Sequence, residues 1–358
     1  MRILVTGGAG FIGSALVRFL IKETDNTVIN VDKLTYAGSL SSLEVVLESE
    51  RHVFIQDDIC DRSSLREIFN KYMPEAVINM AAESHVDRSL DDPTPFVETN
   101  IVGTFNLIEE ARRYWNLLDD NEKNRFRLVH VSTDEVFGDL GADGPPSLET
   151  SAYCPSSPYS ASKSCADHLI GAWSRSYGIP AMVTRCTNNF GPYQYPEKLI
   201  PLMLLNALEG KALPVYGDGL QVRDWLFVED HVKAIYMVLR YGKPSESYNI
   251  SSDHQLTNME MINELCDTLE QFVPSKAAGL GGYKGLIRRV EDRPGHDTRY
   301  ALNSRKIKDE IGWCPRECFR SGLRKTVAWY LDNPEWCKGV QEATYQRQRL
   351  GLGFREVS

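Results

Sequence analysis

The sequence predicts an α/β fold, a doubly wound parallel sheet followed by a smaller α+β lobe, and three observations carry that prediction. Short apolar runs alternate with amphipathic stretches up to Asn189, the pattern of repeated strand-helix-strand units. A glycine-rich turn, Thr6-Gly7-Gly8-Ala9-Gly10-Phe11-Ile12-Gly13, joins the first apolar run to the first amphipathic stretch. Beyond Asn189 the alternation stops, and Gly- and Pro-rich segments separate shorter elements.

The strands are expected at Arg2 to Thr6, Thr27 to Val31, His52 to Ile55, Ala76 to Asn79, Arg127 to Ser132 and Ala181 to Arg185. Each is a short run rich in Val, Ile, Leu or Ala, as strands buried on both faces are. Between them, Phe11 to Lys22, Ser63 to Tyr72, Thr99 to Trp115 and Tyr159 to Tyr177 place apolar residues at helical spacing. Six strands with helical crossovers suit a doubly wound sheet. In the second part, helices are expected at Pro196 to Glu209, Val228 to Tyr241, Asn258 to Gln271 and Phe319 to Leu331. Gln221 to Phe227 and Ser247 to Ile250 read as extended. The polar stretch after Gly339 reads as a loosely ordered tail.

At 358 residues the chain can bury a large core, most simply as one big domain with a second lobe and a cleft between them. A net charge of -9 provides no basic field for nucleic acid or an anionic membrane, so an anionic ligand must be held by local cations and helix ends. Met1 runs directly into the first strand, and no stretch of membrane-spanning length is apolar, so a cytoplasmic protein is expected. The 8 cysteines are scattered and are expected to be reduced. Cys314 and Cys318 form the only close pair, without a second pair at zinc spacing, and the histidines do not cluster; no metal is expected.

The glycine turn fits a dinucleotide. Gly8, Gly10 and Gly13 satisfy one common spacing and Gly7, Gly10 and Gly13 a wider one, and both let a pyrophosphate approach backbone amides at a helix start. Asp32 closes the next strand, where a carboxylate can accept ribose hydroxyls and would repel a 2'-phosphate. This favours NAD, while Lys33 beside it keeps NADP open.

Tyr159 and Lys163 are four apart at the start of a helix, hence on one face. A tyrosine is a poor base at neutral pH unless a nearby cation favours its phenolate, which Lys163 and an oxidised nicotinamide would do. A plain dehydrogenase needs no more. Thr133-Asp134-Glu135 adds two carboxylates at the end of an apolar strand, where α/β sheets bind ligands, supplying a general acid and a general base. In other settings such a pair would be a solvated turn. Which carboxylate has the raised pKa is open at this point.

These residues resemble the extended short-chain dehydrogenase/reductase superfamily, whose hydroxyl, tyrosine and lysine fall on Thr133, Tyr159 and Lys163. Within it the chain resembles the dTDP-glucose 4,6-dehydratase family from Arg2 to about Trp336. The resemblance runs through Asp32-Lys33-Leu34-Thr35-Tyr36-Ala37-Gly38, Ala81-Ala82-Glu83-Ser84-His85-Val86-Asp87, Ser132-Thr133-Asp134-Glu135-Val136, Arg223-Asp224-Trp225-Leu226 and Asp292-Arg293-Pro294-Gly295-His296-Asp297. Phe137 replaces the family's usual tyrosine and keeps the ring.

The resemblance implies oxidation of the glucosyl C4 hydroxyl, loss of water across C5 and C6, and return of the hydride to C6. Tyr159 would take the C4 proton, Thr133 would hold that oxygen, Lys163 would tune the tyrosine, Glu135 would be the base and Asp134 the acid. Cofactor contacts are implied at Gly7, Gly10, Phe11, Ile12, Gly13, Asp32, Lys33, Leu34, Thr35, Asp58, Ile59, Ala81, Ala82, Glu83, Ser84, Thr99, Tyr159, Lys163 and Asn189. Nucleotide-sugar contacts are implied at Ser84, Thr133, Asn188, Lys198, Leu199, Pro214, Val215, Tyr216, Arg223, Asn258, Asp292, Arg293 and His296. Charge alone also marks Lys198, Arg223 and Arg293 as candidates to meet a diphosphate.

The corresponding organisation is an NAD-binding domain over 1–190, a nucleotide-sugar lobe over 191–338 with some crossing of the chain between them, and a tail over 339–358. A homodimer is implied through the faces Ile101, Phe105, Ile108 and Cys165, Leu169, Trp173. A nucleotide-sugar 4-epimerase has less use for Asp134 and Glu135, and a cofactor-sensing regulator less use for Tyr159 and Lys163. A 4,6-dehydratase of another nucleotide sugar, such as GDP-mannose, stays open.

Overall fold

The computed structural model describes residues 1–274, 282–292 and 296–344. Twelve strands and ten principal helices are labelled in chain order. β1 (Arg2–Thr6), α1 (Phe11–Glu23), β2 (Thr27–Asp32), β3 (His52–Gln56), α2 (Arg62–Tyr72), β4 (Ala76–Asn79), α3 (Thr104–Leu117), β5 (Arg127–Thr133), α4 (Pro158–Tyr177) and β6 (Ala181–Cys186) form the expected alternation. Then follow β7 (Asn188–Phe190), α5 (Leu199–Leu208), β8 (Leu213–Tyr216), β9 (Val222–Phe227), α6 (Val228–Tyr241), β10 (Ser247–Ile250), β11 (Gln255–Thr257) and α7 (Asn258–Phe272). β12 (Ile287–Val290), α8 (Arg305–Ile311), α9 (Phe319–Asp332) and α10 (Pro334–Thr344) complete the described residues.

The main sheet has seven strands in the order β10-β6-β5-β4-β1-β2-β3, every neighbouring pair parallel. Its strands alternate between two cores. Ile3 and Val5 face one side, where Leu16, Val17 and Leu20 of α1 meet Ile235, Val238 and Leu239 of α6. Leu4 faces the other, with Phe69 of α2, Leu107 and Ala111 of α3 and Ile170 of α4. Both faces are dry because a parallel sheet needs helices on each side.

The chain crosses between the two parts. α6 and β10 follow Asn189 yet belong to the main sheet's layers, and Ile307 of α8 and Trp313 join the same core. The rest of the second part has its own core, in which Leu204, Trp225, Ile262, Tyr283, Leu323 and Tyr330 pack together. It carries a three-stranded sheet, β11-β9-β7, and the pair β12-β8.

The helix expected from Thr99 begins differently. Val97–Gly103 is a π-helical segment, with α3 starting only at Thr104. On the tail, residues to Thr344 form α10, while 345–358 lie outside the described residues. Among the described residues no helix is long and apolar enough to cross a membrane.

Candidate active site

β1 and β4 are neighbours whose following helices lie on opposite faces of the sheet, so a crevice opens at their carboxyl ends, where such folds take ligands. One continuous pocket occupies it, running from the glycine turn past Asp32, Asp58 and Ala81 to Thr133, Asp134, Glu135, Tyr159 and Lys163.

The glycine turn fits a dinucleotide on two counts. Gly7 has φ +71°, and a Cβ there would meet the backbone of Met80 and Ala81 at 2.7–2.8 Å. A Cβ on Gly13 would sit 2.0 Å from the Gly7 carbonyl oxygen. Only glycine lets the turn close, and Gly10 precedes α1 as an N-cap with no side chain to bond it, leaving first-turn amides for an anion. Asp32 accepts from the Ala9 and Leu34 amides, each at 2.8 Å, and burial raises its pKa. Leu34 itself has φ 56°. Lys33 is committed to this chain, donating to the Thr99 hydroxyl at 3.0 Å and pairing with Asp58 at 3.5 Å. Ala82, Glu83, Ser84, Thr35, Ile59, Phe11, Ile12 and Asn189 line the same pocket; Leu34 does not.

The catalytic candidates converge from two elements. Thr133 ends β5, and Asp134 to Phe137 form a single tight turn after it. Tyr159 and Lys163 sit in the first turns of α4, which starts with Pro158 after a reciprocal cap between Ser157 and Ser160. The Thr133 side chain hydrogen-bonds the Tyr159 hydroxyl. Thr133 also donates to one Asp134 oxygen at 3.2 Å, and the other Asp134 oxygen is buried without a partner.

Electrostatics separate these groups. Burial, and then the charge of Glu135, push Asp134 up to about 8, against a pull from Arg223. Burial lowers Lys163 to about 8, opposed by Asp167. Tyr159 is driven well above its ordinary value by burial and by Glu135, so it needs added positive charge before it can act as a base.

The expected substrate residues divide into two groups. Ser84, Thr133, Asn188 and Lys198 line the pocket, the buried Asn188 oxygen having no partner and Lys198 donating to the Ser84 carbonyl at 3.1 Å. The other described ones sit on the second lobe and do not line this pocket. There Asn258 donates to Gln221 at 3.4 Å, Gln221 to Asp292 at 3.1 Å, and Asp292 meets the His296 ring at 2.7 Å. The His296 ring lies edge-on to Tyr216 at 6.4 Å. The Asn258 oxygen is buried without a partner.

Pro214, Val215 and Tyr216 lie in β8, with Val215 in the lobe core, so only its backbone can face a ligand. Leu199 begins α5 and packs against that core. Arg223 is buried, donates to the carbonyls of Val222, Asp297 and Thr298, and lies 4.6 Å from the Tyr300 ring centre. Its charge faces Asp134 instead of standing in open solvent. Arg293 lies outside the described residues.

Sequence reading passed over several pocket residues. Glu197 is buried in the lining, ion-paired with Arg88 at 3.0 Å and hydrogen-bonded by Tyr36. A carboxylate beside the singled-out Lys198 was the signal for it. Gln194, Tyr195 and Cys186 also line the pocket, and Gln221 links Asn258 to Asp292, with no local pattern to mark them.

Known proteins resemble the chain over nearly its full length. Residues 4–326 match the family model described as GDP-mannose 4,6 dehydratase. A dTDP-glucose 4,6-dehydratase of Neisseria meningitidis is 56% identical over 352 residues, covering 98% of this chain and 99% of the relative. The structure of DesIV, a dTDP-glucose 4,6-dehydratase of Streptomyces venezuelae with NAD and a dTDP ligand bound, is 42% identical with a TM-score of 0.86, covering 95% of this chain and 100% of that one. A UDP-glucose 4-epimerase of Thermotoga maritima shares the fold at 28% identity and a TM-score of 0.81, covering 93% of this chain and 100% of that one. The family model is described by GDP-mannose, whereas the 56% identity over nearly the full length is to a dTDP-glucose enzyme. The chain belongs to the nucleotide-sugar 4,6-dehydratases and, among them, to the dTDP-glucose 4,6-dehydratase family.

Proposed function

We propose that the chain is an NAD-dependent dTDP-glucose 4,6-dehydratase, a hydro-lyase that converts dTDP-glucose to dTDP-4-keto-6-deoxyglucose. One observation carries the dehydratase reading over an epimerase: Asp134, a carboxyl held near pKa 8, stands beside Glu135 and Tyr159 in one pocket. Epimerisation at C4 has no use for a neutral acid, whereas a departing hydroxide needs a proton.

The glycine turn supports the pyrophosphate, Asp32 the adenosine ribose, and Tyr159 with Lys163 the nicotinamide ribose. Bound NAD supplies a hydride acceptor for C4 and a donor for C6. Tyr159 takes the C4 hydroxyl proton while Thr133 holds that oxygen. The ketone so formed acidifies the C5 proton, and Glu135 removes it. Asp134 gives its proton to the C6 hydroxyl, which leaves as water; Glu135, now protonated, is placed to return a proton to C5. Acid and base divide the work because their surroundings differ. On the second lobe, Tyr216, Asn258, Asp292 and His296 would receive the nucleotide, and Lys198 and Arg223 the diphosphate side.

The test is incubation with dTDP-glucose, UDP-glucose and GDP-mannose. A 4-keto-6-deoxy product from dTDP-glucose without net cofactor reduction is expected. A galactose epimer would overturn the reading, and preference for GDP-mannose would overturn the substrate.

A homodimer belongs to the same proposal. Phe105 of α3 and Trp173 of α4 meet edge-on at 5.8 Å, Ile101 and Leu169 are half-buried, Cys165 is exposed, and Val97 and Val102 are exposed nearby. Ile108 is instead wholly buried in the core. A monomer mass independent of concentration in sedimentation would reject the dimer. A cytoplasmic setting is supported by the 8 cysteines, all free thiols.

A further inference from the structure

Next to the catalytic pair runs a buried polar chain that the reaction scheme leaves unused. Tyr159, Lys163 and Asp167 stand one turn apart along α4, hence on one face. Lys163 Nζ donates to the Val131 carbonyl at 2.8 Å and lies 3.5 Å from His130 Nε2. That nitrogen is 3.7 Å from Asp167 Oδ1. Asp167 Oδ2 accepts from Arg185 Nε at 3.0 Å and from the Tyr153 hydroxyl at 2.7 Å. Lys163, His130, Asp167 and Arg185 are between 1 and 5% exposed.

The protons on this chain can be placed. Asn79 Oδ1 accepts from the Thr6 hydroxyl at 2.7 Å, so its amide nitrogen is the group 3.0 Å from His130 Nδ1. That assignment makes Nδ1 an acceptor and puts the ring's proton on Nε2. Burial and the charges of Lys163 and Arg185 oppose a second proton on the ring. An Nε2–H cannot accept from an ammonium, so it faces Asp167 Oδ1 at 3.7 Å, an oxygen with no hydrogen-bond partner. The cluster therefore holds two cations, Lys163 and Arg185, against the single carboxylate of Asp167. A buried lysine without such a counter-charge sheds its proton.

We propose that Asp167, with His130 between them, is a positioning residue that keeps the Lys163 ammonium charged and seated on the Val131 carbonyl, and so sets the pH at which Tyr159 serves as base. The inference rests on Tyr159 being the base of the proposed reaction. The other ionisable groups facing the chain are Tyr159 and His168 from α4, Cys186 from β6, Tyr153 from the segment before α4, and Asp134 and Glu135 after β5. Burial raises the Cys186 thiol, so it stays neutral, and the two carboxylates act on Tyr159 in the direction opposite to Lys163.

Asp167→Asn keeps the shape and removes the charge. With isotope-labelled lysine, and Lys163→Met to assign the signal, the Lys163 resonance should titrate at least about one pH unit lower than in the parent protein. In single turnover with dTDP-glucose, the alkaline-going limb of cofactor reduction should move up by a similar amount, about tenfold in rate at neutral pH. Asp167→Glu should keep both near parental. An unmoved lysine titration, or a rate loss equal at every pH, overturns the proposal. Should Asp167→Asn not fold, Arg185→Gln removes the competing cation and should move the lysine titration upward; no movement again overturns it. Failure of the parent protein to form the 4-keto-6-deoxy product would sink the functional reading instead, and the lysine titration would still decide the coupling.

Discussion

Asp134 and Glu135 are neighbours in sequence with different fates in the fold. Asp134 is 4% exposed, with one oxygen unpartnered, and keeps its proton up to about pH 8. Its folded pKa lies above its unfolded one, so its contribution to folding stability is fully present below about pH 4 and is lost as pH rises towards 8, where the folded carboxyl also ionises. An asparagine does not titrate. Asp134→Asn should therefore gain thermal stability over the parent between pH 5 and 8, by a few kcal/mol at most, at roughly 1.4 kcal/mol for each tenfold change in proton affinity. A melting-temperature difference that stays flat across that range would reject the raised pKa. The same variant should lose dehydration by roughly 10²–10⁴-fold, the usual worth of a general acid. Glu135→Gln should slow elimination by a similar factor while cofactor reduction by substrate stays visible. A Glu135→Gln protein that dehydrates at the parental rate would displace Glu135 as the base. The position of the pair was readable from the strand end, but its division of labour was not. That division depends on burial and on Arg223, which is far along the chain.

At the scale of elements, the π-helical segment Val97–Gly103 carries a clamp that helical periodicity does not reveal. Its Asn100 is 1% exposed, accepts from the Glu83 amide at 2.9 Å and donates to the Glu83 carbonyl at 3.0 Å and to Ser162 at 2.8 Å. Ser162 in turn donates to the Tyr159 carbonyl at 2.7 Å. One amide thus joins the cofactor-lining turn after β4 to the catalytic helix, in keeping with π segments marking functional places. Asn100→Leu would leave Glu83's backbone groups unpaired and should cost about 1–3 kcal/mol in urea unfolding, with weaker NAD binding. Parental stability and affinity together would refute the clamp. Elements set by local signals were legible: β1 to β6, the glycine turn and α4 stand within about two residues of their expected bounds. β10 was recognised as extended, but its place in the main sheet was not legible, because its partner is remote, Ser247 pairing with Val183. The π segment was read as ordinary helix, since a single wide turn hardly alters the apolar spacing.

Across the whole molecule, the second lobe reaches back to the cofactor side through α10. Trp336 packs against Trp329 at 5.1 Å and Tyr193 at 5.6 Å, and its indole nitrogen donates to the buried Ser42 hydroxyl at 3.3 Å. Tyr36 packs edge-on to Tyr195 at 5.7 Å, and Tyr36, Ala37 and Trp336 surround Tyr195 and Val340. Arg18 of α1 stacks on Tyr193 at 4.0 Å. Thr35, Ala37 and Gly38, which flank Tyr36, line the pocket, so the aromatic cluster holds one wall of the cofactor site from the other lobe. Sequence patterns could not show this, because contacts between residues some 300 positions apart leave no local period. Trp336→Ala should cost about 2 kcal/mol, below the usual loss for a fully buried tryptophan because this one is only partly covered. Its specific signature is in binding. NAD affinity should fall several-fold in calorimetry, since Ser42 loses its partner and the Tyr36 wall its packing. Binding of dTDP alone should hold, because the Tyr216, Asn258 and His296 cluster lies on the second lobe and makes none of these contacts. Equal losses for both ligands would mean that Trp336 supports the lobe as a whole, and an unchanged NAD affinity would mean that the wall stands without it.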